Sequence, residues 1–500
     1  MRQYLLGVDI GTSGCKATII DTSGQFVSDG FNEYSSLHPH PGWSEQLPEF
    51  WLNAAQASVA TALQRGGVDP AQILGLSFDA SAHNAVLLDK DDKPLRPTIM
   101  WTDQRAGEEA AWLREHYGKE IFRVAYNMPN PTWTMAQLLW IKRHEPEVFN
   151  SIHRIMFLKD YVRYVLTGVW CTEHIEAQGA LLFDNKKWTW SKEFCDILGL
   201  PMEVLPPIKR PLDIAGHLTE QGAAFIGLKA GTPVLTGSSD TSLELYSVGA
   251  IAHGDCVVKM ATAGSFSFFS DHPLPDPTLF TYSHVVDGIW YMAAGTNSAA
   301  LSLRWYRDTF CQKELAEELA GGKNVYRILD DEAAAVAPGA EGLIFNPYLN
   351  GERSPYWDPK LRASFIGVRA DHTRGHFNRA ILEGVAYSIR DNFAAIPSVN
   401  PSQVKFLGGG AKSPLWRQIL ADVLNVPVVK YRLDDSSFGG ALVTGVALGV
   451  FSSHKQAIEQ SNEIASLTQP NPEAAAAYDK YFPVYKAVHD ALAPIYHDQY

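Results

Sequence analysis

Apolar positions near the start of the chain fall in short runs, 5–8, 16–20 and 26–34, separated by turns of Gly, Ser and Asp such as Asp21-Thr-Ser-Gly24. This spacing predicts three strands. Leu47, Phe50, Trp51, Ala54 and Ala57 recur near helical spacing and predict a helix over 47–65. Strands follow at 73–78 and 84–88, an alternation typical of a mixed α/β domain. The pattern then turns helical at 107–117, 134–144 and 160–166, and 185–230 is mixed and punctuated by proline. A second strand-rich onset begins near Cys256, where residues 255–269 repeat the order strand, hydroxyl and glycine turn, strand seen over 4–20. Residues 73–81 and 404–413 echo each other as a strand followed by a polar or glycine turn. Two echoes in the same order predict two halves on one plan, 1–247 and 248–500, although their identity is too low to establish a duplication. The apolar stretch 438–451 is heavy in Gly and Ala and shorter than the roughly 20 residues of a spanning helix. It predicts a buried helix packed closely on its neighbours. The Ala-rich run 473–477 reads as a helix cap region at most.

Composition narrows this picture. A chain of 500 residues is too long for one ordinary core, and 46% hydrophobic with 19% charged residues is the balance of a soluble globular protein. The net charge of −13 argues against a nucleic-acid partner, which needs clustered Lys and Arg, but leaves room for a small phosphorylated ligand. Cys15, Cys171, Cys195, Cys256 and Cys311 are scattered without a C-x-x-C pair, so neither a zinc site nor a disulfide framework is expected. Reduced thiols, the absence of a membrane span and an N-terminal apolar run cut short by Asp9 make cytoplasm the expected compartment.

Four segments carry candidate chemistry. After the first strand, Asp9 and Gly11-Thr12-Ser13-Gly14 gather a carboxylate, backbone N–H groups and two hydroxyls, which suits a phosphate and its metal. A plain β-hairpin turn with a capping Asp suits the same residues. Asp240 lies past Gly237 at the end of the strand 234–236, placed as a general base toward a hydroxyl or as the N-cap of a helix starting near Thr241. Gly408-Gly-Gly-Ala-Lys-Ser413 follows a strand and precedes a helix, and its glycines permit close backbone approach by a phosphorylated or flat ligand. It is neither a Walker A loop nor a dinucleotide fingerprint. Asp79, Ser81, His83 and Asn84 form a polar cluster between two apolar strands, costly unless solvated or bound, and suited to the hydroxyls of a polyol. Asp103 and Arg105 extend that cluster or form an inert surface ion pair.

Read together, these motifs resemble those of the FGGY family of carbohydrate kinases. Asp9-Ile-Gly-Thr-Ser-Gly-Cys-Lys16, His40-Pro-Gly-Trp43-Ser-Glu45-Gln46, Leu158-Lys-Asp160-Tyr161, Gly237-Ser-Ser-Asp240, Gly351-Glu-Arg-Ser-Pro355 and Gly408-Gly-Gly-Ala-Lys-Ser413 match in order. Ala363-Ser-Phe-Ile-Gly367-Val with His376-Phe-Asn-Arg-Ala380-Ile-Leu-Glu383 satisfies the family's C-terminal pattern. The resemblance implies an actin/hexokinase/Hsp70-like (ribonuclease H-like) α/β fold of two domains around a central cleft that closes on its ligands, and transfer of the ATP γ-phosphoryl group to a sugar hydroxyl. By the same resemblance Asp240 is the catalytic base and contacts the sugar, and Asp9 orients Mg²⁺. Gly11, Thr12, Ser13 and Lys16 form a first phosphate site, Thr262 and Gly264 a second, and Gly409, Gly410, Ala411 and Ser413 the nucleotide turn. Asp79, Ser81, His83, Asn84, Asp103 and Arg105 line the sugar site. Within the family the chain is most similar to xylulokinases, sharing a sugar-contacting His at His83. It departs from them at Ser81-Ala-His83-Asn84, where Gln-Met-His-Gly is usual. Asp79 is similar to ribulokinases, and the Arg-Glu pair of glycerol kinases is missing. Gln137 stands where the family's N-terminal pattern has Lys, and Ala261-Thr-Ala-Gly264 where Gly-Thr-Ser-Gly is usual. D-xylulose is the expected substrate; D-ribulose, gluconate and glycerol are alternatives, as is an ATP-driven actin- or Hsp70-like binding protein. A homodimer stays open.

Overall fold

The computed structural model describes residues 2–396 and 400–499. Contacts divide it into two units. The first runs through Ile251 and takes back Asp271–Trp290 and Leu433–Glu463; the second holds Ala252–Ser270, Tyr291–Arg432 and the chain from Ile464 onward. The first change of unit falls after Ile251, beyond the expected 247/248 boundary, and the chain returns to the first unit twice.

The first unit is built on strands β1 (Tyr4–Ile10), β2 (Gly14–Asp21), β3 (Phe26–Glu33), β4 (Ile73–Ala80), β5 (Ile214–His217), β6 (Pro233–Leu235) and β7 (Ser238–Ser239). Their order is β5-β6-β4-β1-β2-β3, with β7 alongside β4. Strands β1, β2 and β3 form an antiparallel meander, whereas β4 runs parallel to β1. Leu5, Leu6, Val8 and Ile10 are all fully buried, because both faces of the sheet are covered. Leu6, Val8 and Ile10 pack with Trp51 and Val59 of the helix Pro48–Gly66. Leu5 packs with Phe438 and Leu442 of the helix Ser436–Ala447. Between them on that second face, Gly7 lets the helix come so close that a Cβ would sit 1.9 Å from the Ser437 carbonyl oxygen. The expected buried helix at 438–451 is this one, and its glycines serve close packing. Strand alternation then puts Asp9 on the same face, at the N-terminal end of that helix.

The second unit carries β8 (Cys256–Met260), β9 (Gly264–Ser270), β10 (Trp290–Thr296), β11 (Val404–Leu407), β12 (Val428–Tyr431) and β13 (Ile464–Thr468), in the order β10-β9-β8-β11-β12-β13. Strand β8 pairs antiparallel with β9 and parallel with β11, as β1 does with β2 and β4. The two sequence echoes thus mark the same three-strand motif in each unit. The run 473–477 is no mere cap. It lies in the first turns of a helix, Pro472–Gln499, that continues through Pro483 and Pro494. The helix expected at 107–117 likewise extends to Ala125. No helix among the described residues is long and apolar enough to cross a membrane.

Candidate active site

The first turn is a hairpin turn: β1 and β2 pair out to Ile10↔Cys15, and the Gly11 N–H donates to the Gly14 carbonyl at 2.9 Å. It is also held from outside. The Tyr34 hydroxyl donates to the Gly11 carbonyl. Gln46 Nε2 donates to the Thr12 carbonyl at 2.7 Å while its Oε1 accepts from buried Trp51 at 2.6 Å. That double role accounts for Gln46 in the His40–Gln46 motif. The Thr12 hydroxyl accepts from the indole of Trp101 at 2.9 Å, and that ring is 42% exposed. Ser13 is exposed at the tip.

Three carboxylates converge in this unit. Asp9 and Asp79 are in register on β1 and β4, and Ser238 of β7 pairs with Asp79 on its other side, two residues before Asp240. Gly237 makes this turn: it has φ 83°, and a Cβ there would lie 2.0 Å from the Phe78 carbonyl oxygen. Oδ1 of Asp9 and both carboxyl oxygens of Asp79 are buried without a hydrogen-bond partner among the described residues. Burial first, and then the charge of Asp240, push Asp9 up to about 7. Burial, Asp9 and Asp240 push Asp79 well above the usual carboxylate range. Ser436, in the first turn of the helix Ser436–Ala447, faces both. Asp240 is the first residue of the helix Asp240–Ser247. Its cap is Ser239, whose hydroxyl accepts the Ser242 N–H at 3.3 Å, so the capping alternative for Asp240 falls away. Asp240 Oδ1 accepts from the N–H and the hydroxyl of Thr241. Unpartnered hard oxygens at one strand end are the donor type that divalent cations take.

His83 follows β4 in a left-handed conformation, φ 54°. Its N–H donates to Glu176 Oε1, its carbonyl accepts from the Thr134 hydroxyl at 2.6 Å, and its ring stacks on Trp133 at 5.0 Å. Nδ1 is buried without a partner among the described residues, and burial pushes the imidazole down to about 4. Ser81 and Asn84 are placed differently from expectation. Asn84 is fully buried, donates to the carbonyl and hydroxyl of Ser81 at 2.6 and 3.1 Å, and accepts from the Trp101 N–H at 2.6 Å. Its amide is consumed in tying two loops together.

Asp103 and Arg105 correct both readings made of them. Their side chains are 1% exposed, so they form no surface pair. Arg105 forks onto Asp103 through Nε and Nη2, reaches Glu45 at 2.8 Å and stacks on Trp43 at 3.6 Å. Asp103 also accepts the Ser44 N–H. The pair is a buried clamp on the 43–46 segment, with its charges spent there rather than on a sugar.

Lys16 is engaged by Asp435 at 3.0 Å and Asp29 at 3.7 Å. In the second unit Thr262 is exposed at the β8–β9 turn, where its carbonyl accepts from Ala299 and Leu301, and Gly264 is buried at the start of β9. Gly409 is exposed, whereas Gly410 and Ala411 are buried, Gly410 against Met260. The Ser413 hydroxyl caps the helix Pro414–Leu424 by accepting the Trp416 N–H at 3.0 Å. Sequence reading missed Trp101 and Glu176. The indole stands beside the more conspicuous Asp103 and Arg105, and Glu176 lies in the polar run Glu173-His-Ile-Glu-Ala-Gln178, where nothing local sets it apart.

The N-terminal domain of the FGGY family of carbohydrate kinases matches residues 4–246, and its C-terminal domain matches residues 262–448. The chain is 32% identical to a xylulose kinase of Lactococcus lactis over 99% of its own length and 98% of that protein. It is also similar to solved structures from Lactobacillus acidophilus. A ligand-bound xylulose kinase is 28% identical, with TM-score 0.91 over 100% of both chains. A gluconate kinase is 28% identical, with TM-score 0.92 over 100% of both chains. The chain belongs to the FGGY family of carbohydrate kinases, and it is a sugar phosphotransferase that uses ATP as phosphate donor.

Proposed function

We propose that this kinase phosphorylates a pentulose, D-xylulose in the first place, to give D-xylulose 5-phosphate. The observation that carries the proposal is His83, whose backbone is tied at both polar atoms while its buried Nδ1 has no partner among the described residues. A sugar hydroxyl satisfies such an atom, and an analogue lacking that hydroxyl leaves it unpaired. Asp240 accepts the proton of the attacking hydroxyl as the oxygen closes on the γ-phosphorus and the bond to ADP breaks. Thr241, through its N–H on Oδ1, fixes the carboxylate's direction. Asp9 would hold Mg²⁺, which when bound neutralises phosphate charge. Backbone N–H groups of Thr12 and Ser13 donate hydrogen bonds to phosphate, as do those of Gly409 and Gly410 in the second unit.

Gluconate is the second reading, carried by the similarity to the Lactobacillus acidophilus gluconate kinase. Charge weighs against it. The Asp240 charge that raises Asp9 and Asp79 also disfavours a substrate carboxylate in the first unit's site, and Arg105 is committed to Asp103 and Glu45. A coupled ADP-release assay over pentuloses, polyols and aldonates tests the proposal. The highest kcat/KM should fall on D-xylulose; a preference for gluconate or glycerol over every pentulose overturns it.

A further inference from the structure

Two helices of the first unit, Leu158–Thr167 and His174–Gly179, enclose a group of charges with almost no access to water. Lys159 is fully buried, and its Nζ lies 2.9 Å from Asp160, 3.6 Å from Glu173 and 3.7 Å from Glu176. Arg163, also fully buried, donates to Asp160 at 2.7 Å. Buried ion networks are poor sources of stability, since desolvation offsets most of the attraction, and apolar side chains of similar volume fill such space as well. Apolar packing could not do what the two ends of this network do. At one end Glu176 Oε1 accepts the N–H of His83. At the other, Arg163 Nη1 donates to the carbonyl of Thr236 at 2.6 Å, immediately before Gly237 and the turn that carries Asp240.

Each of those backbones needs holding. A left-handed conformation is unfavourable for a residue with a Cβ, and His83 adopts it at φ 54°. The turn at Gly237 is pressed against Phe78 with no space for a side chain. Both hang from one rigid cluster, and the shortest path between them runs Glu176–Lys159–Asp160–Arg163.

We propose that this buried network is the positioning device of the sugar site. Glu176, backed by Lys159, holds His83 in its left-handed conformation, and Arg163 holds the base-bearing turn at Thr236, so that both sugar-facing groups keep a fixed separation. Neither Glu176 nor Arg163 touches the substrate. The kinetic part of this inference rests on the pentulose reading; the hydrogen-exchange part does not.

The test uses the full-length enzyme with Glu176→Gln, Glu176→Ala, Lys159→Met, His83→Ala and the Glu176→Ala/His83→Ala double variant. In the absence of ligands, Glu176→Ala should exchange backbone amides over 81–85 roughly tenfold faster than wild type, as expected for one lost buried hydrogen bond. Glu176→Gln keeps the acceptor and should exchange like wild type. Lys159→Met should speed exchange both at 81–85 and at 236–240; if it does not fold, the two Glu176 variants decide alone. In turnover, Glu176→Ala should raise the sugar KM about tenfold with the ATP KM unchanged, and this effect should vanish in the His83→Ala background. Unaltered exchange around His83 in Glu176→Ala overturns the proposal. So does a KM effect that persists without His83, or one shared equally by ATP. A wild-type enzyme that phosphorylates no pentulose sinks the pentulose reading, while exchange at 81–85 still decides whether Glu176 positions His83.

Discussion

Asp9 and Asp79 stand side by side in register on neighbouring parallel strands, two buried carboxyls of which Asp9 Oδ1 and both Asp79 oxygens have no hydrogen-bond partner among the described residues. Such a pair cannot be fully ionised without help: burial and then the charge of Asp240 raise Asp9, and burial with the charges of Asp9 and Asp240 raises Asp79. A cation is the natural partner for the ionised form, and protons compete with it. Because Asp9 is pushed up to about 7, its affinity for Mg²⁺ should increase as pH rises through that value. Mg²⁺ titration at about pH 6 and pH 8 should show tighter binding at the higher pH. Asp9→Asn should weaken Mg²⁺-dependent turnover far more than metal-free ADP binding. An Asn variant with the wild-type Mg²⁺ requirement would make Asp9 a structural residue.

The second expectation concerns Asp240. With Ser239 serving as the helix cap, Asp240→Ala removes no cap and should leave thermal stability close to wild type. Sugar phosphorylation should drop by about 10²–10⁴, the usual cost of losing a general base, with nucleotide binding retained. Near-normal turnover would remove the base assignment.

Much of this arrangement is legible along the chain, and what is not has identifiable causes. Hairpins such as β1–β2 and β8–β9 announce themselves through local alternation and glycine turns, so both units show their first strands. The return of Leu433–Glu463 to the first unit is not legible, because it depends on the close meeting of Gly7 with Ser437, partners far apart in sequence. Pro483 and Pro494 hide the long C-terminal helix, since proline reads as a breaker even where tertiary packing carries the helix through it. Asp103 and Arg105 look like ligand residues until Glu45 and Trp43, brought from a distant segment, are seen to use them. Residue type was enough to gather Asp9, Asp79, His83 and Asp240 into one list. Only the fold distinguishes His83, with an unsatisfied atom, from Asn84, with none.

Stability should depend on pH with a definite sign. Burial pushes Glu173 up to about 7 and Glu176 up to about 8, from ordinary values of 4.5, Lys159 offsetting only part of this. A carboxyl raised by folding contributes stability that is complete below its ordinary value and lost as pH rises through the folded one. The contribution of these two carboxyls should therefore be lost progressively from pH 4.5 up to about pH 8. His83 and His174, pushed down to about 4 by burial, act in the opposite sense: their contribution is complete above 6.5 and is lost as pH falls toward 4. Between pH 4.5 and 6.5 the two effects offset each other, so the melting temperature should fall between pH 6.5 and about pH 8, and Glu176→Gln should flatten that alkaline side. An alkaline side unchanged by that substitution would mean Glu176 is ionised throughout.

The last expectation is the role of His83 itself. Its imidazole, buried against Trp133 and held down to about 4 by that burial, stays neutral through the physiological range. It therefore meets the substrate as a neutral hydrogen-bonding ring and not as a cation. Two consequences follow that a charged histidine would not share. The sugar KM should show no titration near 6.5, the ordinary value for histidine. His83→Ala should raise the sugar KM or lower kcat by an amount corresponding to about 1–3 kcal/mol, the cost of leaving a buried partner unpaired, with the ATP KM unmoved. Deoxy analogues of the best sugar should discriminate further. If Nδ1 meets one hydroxyl, the analogue lacking it should lose affinity with wild type yet lose almost nothing more with His83→Ala. Equal losses in both proteins would place the contact elsewhere, and a loss confined to ATP would take His83 out of the sugar site.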